Sequence, residues 1–198
     1  MTPADPDLTL VTRQERAPIA DAAKLMLTPL DLILEVMADC LTPLIRAHIA
    51  QEFGAYLGKS QHPALVNRRL LDFVCRTCLP QYSLEEAHRE FGRRSVQYYR
   101  ESSILGRIMM AAVPLMGMER LLRQYPRQLA AVTNYGTRTV YTLAPGEWRL
   151  DDEDEIMSPH QLQGNFEMGC SMVHPRDLRV TFTIRTPNSY SFHIHWQP

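Results

Sequence analysis

Apolar positions recur with a helical period through the first part of the chain. Threonine–proline pairs at 28–29 and 42–43 each place a capping hydroxyl before a proline that suits the first helical position. Apolar residues follow each pair at intervals of three and four, which predicts two amphipathic helices. A third helix is predicted between Pro63 and Pro80, because proline can begin a helix and also ends one.

A longer helix is predicted to begin at Ser83, which forms a capping-box pattern with Glu86 three residues later. Its inner face carries the small residues Gly92 and Ser95, which indicates that another backbone approaches closely. The polar face then disappears, and the stretch from Ile104 to Met118 carries a single charged residue. This pattern is typical of a helix that is surrounded by protein.

Beyond the proline at 114, which should kink or end this helix, a short helix is predicted before Pro126. The hydrophobic period then changes from helical to alternating. Four segments alternate in this way: 137–143, 148–150, 178–185 and 189–196. A helix beginning at Ser158 and Pro159 separates the two pairs. The order predicts an α+β domain with N-terminal helices packed on a C-terminal four-stranded antiparallel sheet of β-β-α-β-β order.

The predicted domain boundaries follow from the same patterns. Residues 1–17 are polar, contain prolines and show no period, so we expect a flexible tail. Residues 18–198 are expected to form a single domain, mainly helical over 18–126 and a sheet with one helix over 127–198. The acidic run from Asp151 to Glu155 is interpreted as a solvated loop.

Composition excludes several classes of function. The chain has 198 residues, 45 % of them apolar, and a formal net charge of −1, so no global basic field would attract nucleic acid. Apolar runs are too short for a membrane span, and the N-terminal region lacks the apolar core of a signal peptide. We therefore expect a cytoplasmic protein whose four cysteines are reduced thiols.

Five segments occur in the order seen in a known family: LEEAHREFGRR, LGRIMMAAVPLMG, the NYG at 134–136, LAPGEWRL and the strand that ends at Trp196. Over Leu79 to Trp196 the chain resembles the myxobacterial domain-of-unknown-function family 2378. Through its fold that family is similar to haem-nitric-oxide-binding (H-NOX) sensors, 4-vinyl-reductase-like domains and TRAPP-type trafficking subunits. The resemblance implies an apolar ligand site or acyl channel between helices and sheet, in a ligand-binding or scaffold domain that catalyses no reaction.

The H-NOX resemblance can be compared residue by residue. Those sensors bind the haem iron with a proximal histidine on a helix. A Tyr-x-Ser-x-Arg motif further along the chain binds the haem propionates. Here Tyr135 matches the tyrosine, but Thr139 stands at the arginine position and residues 104–125 contain no histidine. Cys170 stands alone where many 4-vinyl-reductase-like domains carry a cysteine cluster. Haem held in the H-NOX manner is therefore not expected, and no other cofactor is predicted.

Two residue pairs have the spacing of metal or redox sites. Cys75 and Cys78 form a CxxC on a predicted helix, without the strand context of a thioredoxin-like site or a second CxxC for zinc. His193 and His195 share one face of the last predicted strand, where they could chelate a transition metal. We interpret Cys75 and Cys78 as structural cysteines. We interpret His193 and His195 as polar residues on a solvated or dimer-forming face of the sheet. No metal site is predicted.

Arg107 is the most informative single residue, because a guanidinium in an apolar helix needs an anionic or carbonyl partner or must reach solvent. It could anchor the carboxylate or phosphate of a small ligand. Alternatively it bonds helix carbonyls or Glu101, while the methionines beside it fill core. The candidate ligand-binding residues are Arg107, Met109, Met110, Val113, Met116 and Tyr135.

Two functions remain open from the sequence. The first is a non-catalytic sensor or carrier domain that binds a small, largely apolar ligand between helices and sheet. The second is an interaction or scaffold module that homodimerises through its helices without any ligand. No enzyme is predicted, because we find no nucleophile–base arrangement, glycine-rich phosphate loop or metal motif.

Overall fold

The computed structural model describes residues 9–14, 24–26, 30–102 and 113–198. Its helices are α1 (Leu30–Val36), α2 (Pro43–Phe53), α3 (Ala64–Cys78), α4 (Leu84–Ser102), α5 (Met118–Val132) and α6 (Pro159–Ser171). Its strands are β1 (Thr9–Gln14), β2 (Lys24–Met26), β3 (Gln61–Pro63), β4 (Thr137–Ala144), β5 (Glu147–Glu153), β6 (Arg176–Thr186) and β7 (Ser189–Gln197). The predicted α+β class and the order of the four C-terminal strands are confirmed.

The main sheet is antiparallel with the strand order β1-β4-β5-β7-β6. It therefore has five strands where four were predicted, because β1 pairs with β4 at the edge. The expectation of a flexible tail is wrong for residues 9–14, where threonine, leucine and valine have the β propensity that an edge strand needs. Strands β2 and β3 pair separately in a small antiparallel ribbon.

Hydrogen bonds confirm the predicted helix starts at Thr42 and Ser83, whereas the cap predicted at 28–29 lies outside the described residues. The Thr42 hydroxyl accepts a bond from the Ile45 amide at 3.4 Å, and a proline occupies the first position of α2. At the start of α4, Glu86 accepts from the Ser83 amide at 3.0 Å, and the Ser83 hydroxyl accepts from the Glu86 amide at 3.2 Å. These reciprocal bonds satisfy amide hydrogens that a helix start leaves without a partner.

Two hydrophobic cores lie on opposite sides of α4 and α6. Helices α1 to α4 enclose the first, which we call the helical core: Leu30, Ile33, Met37, Ile49, Phe53, Leu70, Val74 and Phe91 are among its buried members. Helices α5 and α6 cover one face of the main sheet and enclose the second, the sheet core: Leu122, Val140, Trp148, Leu150, Leu162, Phe166, Phe192 and Ile194 are among its members. Helix α4 packs along α6 and joins the two.

Helix α5 continues through Pro126 to Val132, so the predicted helix end at this proline is wrong. Proline removes one backbone hydrogen bond and normally kinks or breaks a helix. Here Leu122, Pro126 and Ala130 are buried at intervals of four, and Leu122 belongs to the sheet core. Burial of this stripe outweighs the lost hydrogen bond, and the helical part extends past residue 126.

The close approach predicted for α4 is confirmed, and its partner is the backbone of α6. A Cβ added at Gly92 would lie 2.2 Å from the carbonyl oxygen of Gln161. Across the same contact, a Cβ added at Gly164 would lie 2.0 Å from the carbonyl oxygen of Arg89. The Ser95 hydroxyl also contacts the side-chain oxygen of Asn165 at 3.1 Å. Glycine is therefore required on both helices, and α4 and α6 form a rigid pair.

We expect Gly92→Ala to lower the free energy of unfolding by about 1–3 kcal/mol, because two helix backbones would have to separate. Gly169→Ala is the matched control, since this glycine lies in the partner helix α6 but a Cβ there meets no atom within 4 Å. The control should be neutral or stabilise the protein by up to about 1 kcal/mol. Urea denaturation of both variants measures the difference, and equal effects would contradict the close contact.

Candidate functional site

The predicted ligand-binding residues divide into two groups. Arg107, Met109 and Met110 lie outside the residues that the structure describes. Val113, Met116 and Tyr135 are described, and we find Val113 and Tyr135 buried and Met116 half-buried. Tyr135 lies in a small buried cluster, whereas Met116 lines an open groove at the end of the sheet, so these two residues belong to different surroundings.

Tyr135 packs with Ala64 and Ile156 between the helical core and the sheet. Its hydroxyl donates a hydrogen bond of 3.1 Å to Glu155 Oε1. That oxygen also accepts from the amides of Ile156 and Met157, both at 2.9 Å. Burial, followed by the nearby Glu155 charge, raises the pKa of Tyr135, so this hydroxyl remains a donor.

Arg138 completes this arrangement from strand β4. Its Nη2 lies 2.5 Å from Glu155 Oε2, and its Nη1 donates to the Tyr135 carbonyl oxygen at 2.6 Å. The side chains of Arg138 and Glu155 are only 1 % and 0 % exposed. Gly136, with φ of +76°, allows the chain to turn between Tyr135 and Arg138. The result is a buried ion pair in which each carboxylate oxygen of Glu155 has a protein partner.

A second buried carboxylate lies beside this ion pair. Asp152 Oδ2 accepts a hydrogen bond of 2.5 Å from the Tyr125 hydroxyl, whereas Asp152 Oδ1 has no partner. Burial and the charge of Glu155 raise the pKa of Asp152 to about 7. Asp152 therefore holds a proton over part of the pH range in which an ordinary aspartate is ionised.

These contacts correct the interpretation of the acidic run as a solvated loop. Residues Asp151 and Asp152 continue strand β5, and both are buried together with Glu155. Their partners are Arg149 of the same strand and five residues from other segments: Tyr125, Tyr135, Arg138, Arg185 and Ser191. Sequence inspection missed the cluster because the run lacks the alternation of a half-buried strand and most of its partners are distant in sequence.

A cavity of about 300 Å³ lies between the helices and the sheet, and none of the three described candidate residues lines it. We call it the helix–sheet cavity. Helix α3 contributes Arg68, α4 contributes Leu84 and His88, and α6 contributes its first turn. The turn between β6 and β7 closes the remaining side with Tyr190 and its neighbours. Leucine, isoleucine, proline and tyrosine side chains make most of this wall apolar.

Several polar side chains enter the helix–sheet cavity. Ser158 is 1 % exposed, and its Oγ has no hydrogen-bond partner. His88 is also buried, and its Nε2 lies 2.9 Å from Asp72 Oδ1, close enough to pair with that carboxylate. Burial lowers the pKa of His160, whose ring packs edge-on against Phe182 at 4.9 Å. Buried polar atoms normally have partners, so the Ser158 hydroxyl marks the cavity as a candidate binding site.

Sequence reasoning missed this site, although one signal was present. The Ser158–Pro159 pair correctly marked the start of a helix. Nothing local indicated that this helix start would lie against Arg68 and His88, which are far away in sequence. The pairing through Gly92 and Gly164 brings them together, and only one half of that contact was recognisable beforehand.

Two other features contain groups of interest. Met116 lines an open groove of about 700 Å³ at the end of the sheet, together with Trp196 and the C-terminal Pro198. His62, on β3, is buried with both ring nitrogens unpartnered, and burial lowers its pKa. Within the described residues, neither feature combines a pocket with a buried, unpartnered polar atom among its lining residues, as the helix–sheet cavity does.

The candidate metal and redox pairs occupy structural positions. Cys75 lies in the helical core, where burial raises its pKa to about 12, and Cys78 contacts Cys40 with a pKa raised to about 11. Thiols with such pKa values are weak nucleophiles. His193 lies opposite Thr181, and His195 opposite Arg179, as expected from the alternation. Among the described residues, no group of three or more histidine, cysteine or acidic side chains could hold a metal ion.

The fold is that of H-NOX domains. A structure from work on the mechanism of H-NOX activation aligns with a TM-score of 0.57 and 12 % identity, over 84 % of this chain and 94 % of that one. An oxygen-binding H-NOX domain related to soluble guanylate cyclases aligns with a TM-score of 0.55 and 11 % identity, over 85 % and 93 %. A mutant of the T. tengcongensis H-NOX aligns with a TM-score of 0.54 and 12 % identity, over 85 % and 96 %.

The chain belongs to the family of proteins of unknown function DUF2378, whose model matches residues 32–197. The predicted family and its likeness to H-NOX domains are thereby confirmed. The match begins within α1, so the family includes the N-terminal helices as well as the region from Leu79 that carried the resemblance. A search of curated proteins finds no significant match. Within the described residues, no helix is long and apolar enough to cross a membrane.

Proposed function

We propose that this chain is a non-catalytic sensor or carrier domain that binds a small, largely apolar ligand between its helices and its sheet. The helix–sheet cavity is the observation that carries the proposal. Its volume of about 300 Å³ lies at the lower end of the range for small-molecule sites. Its walls are mainly apolar, with a few convergent polar groups, which is the usual composition of such sites.

The position of the cavity supports a sensing role. Its walls come from α3 and α4 of the helical core and from α6 and the β6–β7 hairpin of the sheet core. A ligand there would contact both parts of the fold. Ligand binding can shift an equilibrium between two arrangements only if the ligand prefers one of them. A ligand that bridges the two cores has the contacts needed for such a preference.

We further propose that the ligand is not haem held in the H-NOX manner. Tyr135 stands at the tyrosine position of the Tyr-x-Ser-x-Arg motif, and Arg138 is next to Thr139 at the arginine position. These two residues would have to bind a haem propionate. Glu155 already accepts hydrogen bonds from both, and its remaining acceptor positions face backbone amides. The protein's own carboxylate therefore takes the place that a propionate would need, and these residues do not fit the group.

Native mass spectrometry of the freshly purified full chain, compared with the denatured mass, tests the proposal. We expect a small bound species that is released on denaturation. Ile184→Trp should reduce it, because Ile184 is 62 % exposed at the wall of the cavity and can be enlarged without disturbing a core. Leu44→Trp is the control, at a position of α2 that is 81 % exposed. Absence of any bound species from the wild-type chain would contradict the proposal.

The second candidate is a scaffold module that homodimerises through its helices. It is favoured by two exposed leucines of the helical part, Leu44 on α2 and Leu65 on α3. Scattered apolar residues are normal on protein surfaces, so this observation is weaker than a pocket lined by both helices and sheet. Light scattering separates the candidates, since a strict monomer at high concentration contradicts the homodimeric scaffold.

A further inference from the structure

The start of helix α6 forms one end of the helix–sheet cavity. Ser158 is the residue before the helix, where serine side chains normally accept a bond from an amide of the first turn. Here Ser158 makes no such bond, although its Oγ is buried at the cavity wall. In the described part of the chain the hydroxyl is therefore a buried polar group that no protein atom satisfies.

The first turn of α6 also has amide hydrogens to offer. The Leu162 amide bonds the Ser158 carbonyl at 3.0 Å, whereas Pro159 has no amide hydrogen. Within the described residues, the amides of His160 and Gln161 have no acceptor. A helix start of this kind carries partial positive charge and binds anions through such amides. The buried, unpartnered hydroxyl of Ser158 is an independent indication that a ligand group belongs here.

Basic side chains reach the same end of the cavity. Arg68 donates from Nε to Asp72 at 2.9 Å and from Nη1 to the Ile156 carbonyl at 3.4 Å. Its Nη2 makes no hydrogen bond within the described residues, so this nitrogen can still donate. His88 and His160 line the cavity as well, and their ring N–H groups can donate in either protonation state.

We infer that the helix–sheet cavity binds a small organic acid, with its carboxylate or phosphate at the start of α6 and its apolar body against Leu84, Ile184 and Tyr190. This inference rests on the proposed function and specifies its ligand class. The head group would accept bonds from the Ser158 hydroxyl, the free amides of α6 and Arg68. The apolar body would fill the part of the cavity that has no polar atoms.

Two acidic residues lie near the proposed anion: Asp72, which already pairs with Arg68 and His88, and Glu85, whose removal tests the sign of the ligand's charge. Glu85 also lines the cavity, on α4, and its Oε2 lies 3.9 Å from His160 Nε2. Its side chain is 73 % exposed, so its removal should not disturb the fold. If the ligand is an anion, loss of this like charge must strengthen binding. A purely structural role of the cavity residues predicts no such gain.

Binding of benzoate and of its neutral isostere benzamide to the full chain tests the ligand class. Calorimetry measures both affinities, and amide chemical shifts of the labelled protein locate the site. We expect benzoate to bind about 10-fold to 100-fold more tightly than benzamide, because hydrogen bonds to a charged group contribute about 1.5–3 kcal/mol. The largest shifts should fall at residues 158–161.

Three variants test which residues contact the head group of the ligand. Ser158→Ala and Arg68→Met should each weaken benzoate binding several-fold and leave benzamide almost unchanged. Arg69→Met is the matched control on α3, because Arg69 is 71 % exposed and does not line the cavity. Glu85→Gln should strengthen benzoate binding and leave benzamide unchanged. This last variant keeps the test valid even if Arg68→Met destabilises the fold.

The outcomes separate the inference from the function on which it rests. Equal affinities for benzoate and benzamide, or no effect of Glu85→Gln, would overturn the organic-acid assignment. Phenyl phosphate in place of benzoate distinguishes a phosphate from a carboxylate head, and failure of both anions to bind also overturns it. In each of these cases a bound apolar species in native mass spectrometry would leave the proposed function standing.

Discussion

Replacing Glu155 by alanine should lower the free energy of unfolding by about 3–5 kcal/mol, the typical cost of removing one partner from a buried ion pair. The change leaves the Arg138 guanidinium charged in a position that is only 1 % exposed. It also leaves the Tyr135 hydroxyl and the amides of Ile156 and Met157 without an acceptor. Urea denaturation at neutral pH, followed by circular dichroism, measures the loss.

The matched control is a surface pair. Glu119 and Arg123 approach to 3.7 Å, but both side chains are more than half exposed, so Glu119→Ala should cost less than about 1 kcal/mol. The double variant Arg138→Met with Glu155→Leu should recover much of the stability lost by Glu155→Ala, since no unpaired charge remains. A loss below about 1 kcal/mol for Glu155→Ala would contradict the buried pair.

The local features of this fold were predictable from sequence. The Thr42 and Ser83 caps, the hairpins of the sheet and the close approach at Gly92 each depend on residues within a few positions of one another. Such short-range chemistry is present in the sequence itself. The prediction of four C-terminal strands in the right order followed from it.

The errors have a common physical cause. Strand β1 is stable because β4 offers an edge, and Pro126 is tolerated because its neighbours bury against the sheet core. The acidic residues of β5 are buried because Arg138 and two tyrosines approach from other segments. In each case a tertiary contact outweighs a local preference, and tertiary contacts are not visible in local pattern.

The candidate site shows the same limit more sharply. The sequence drew attention to Arg107 because a single charge in an apolar stretch is a local anomaly. The helix–sheet cavity has no such anomaly, since Arg68, His88 and Ser158 are each ordinary in their own segments. They become a site only when α4 packs on α6. The predicted residues Val113, Met116 and Tyr135 do not line this cavity, and Arg107, Met109 and Met110 lie outside the described residues.

The buried carboxyl groups of Asp152 and Glu155 make stability depend on pH. Glu155 and Asp152 are two acidic groups in one buried environment, with Arg138 as the cation that pairs with Glu155. Arg138 can compensate one negative charge but not two. Ionisation of the second carboxyl in a buried position is therefore unfavourable, which is why burial raises the pKa of Asp152 to about 7.

We expect the stability of the wild-type chain, measured relative to Asp152→Asn, to fall by about 4 kcal/mol between about pH 4 and about pH 8. The folded protein holds a proton on Asp152 up to a pKa of about 7, whereas the unfolded carboxyl releases it near 3.8. The stabilisation is therefore complete below about pH 4 and is lost as the pH rises through the folded pKa. Asparagine cannot ionise, so the variant lacks this loss.

Denaturation of both chains across this pH range measures the difference between their free energies of unfolding, which cancels the contributions of all other groups. Tyr125→Phe provides a second test, because the Tyr125 hydroxyl lowers the pKa of Asp152 by donating to the ionised form. Its removal should move the fall in relative stability to higher pH. Parallel curves for the wild type and Asp152→Asn would mean that Asp152 is ionised in the folded state, with its charge compensated.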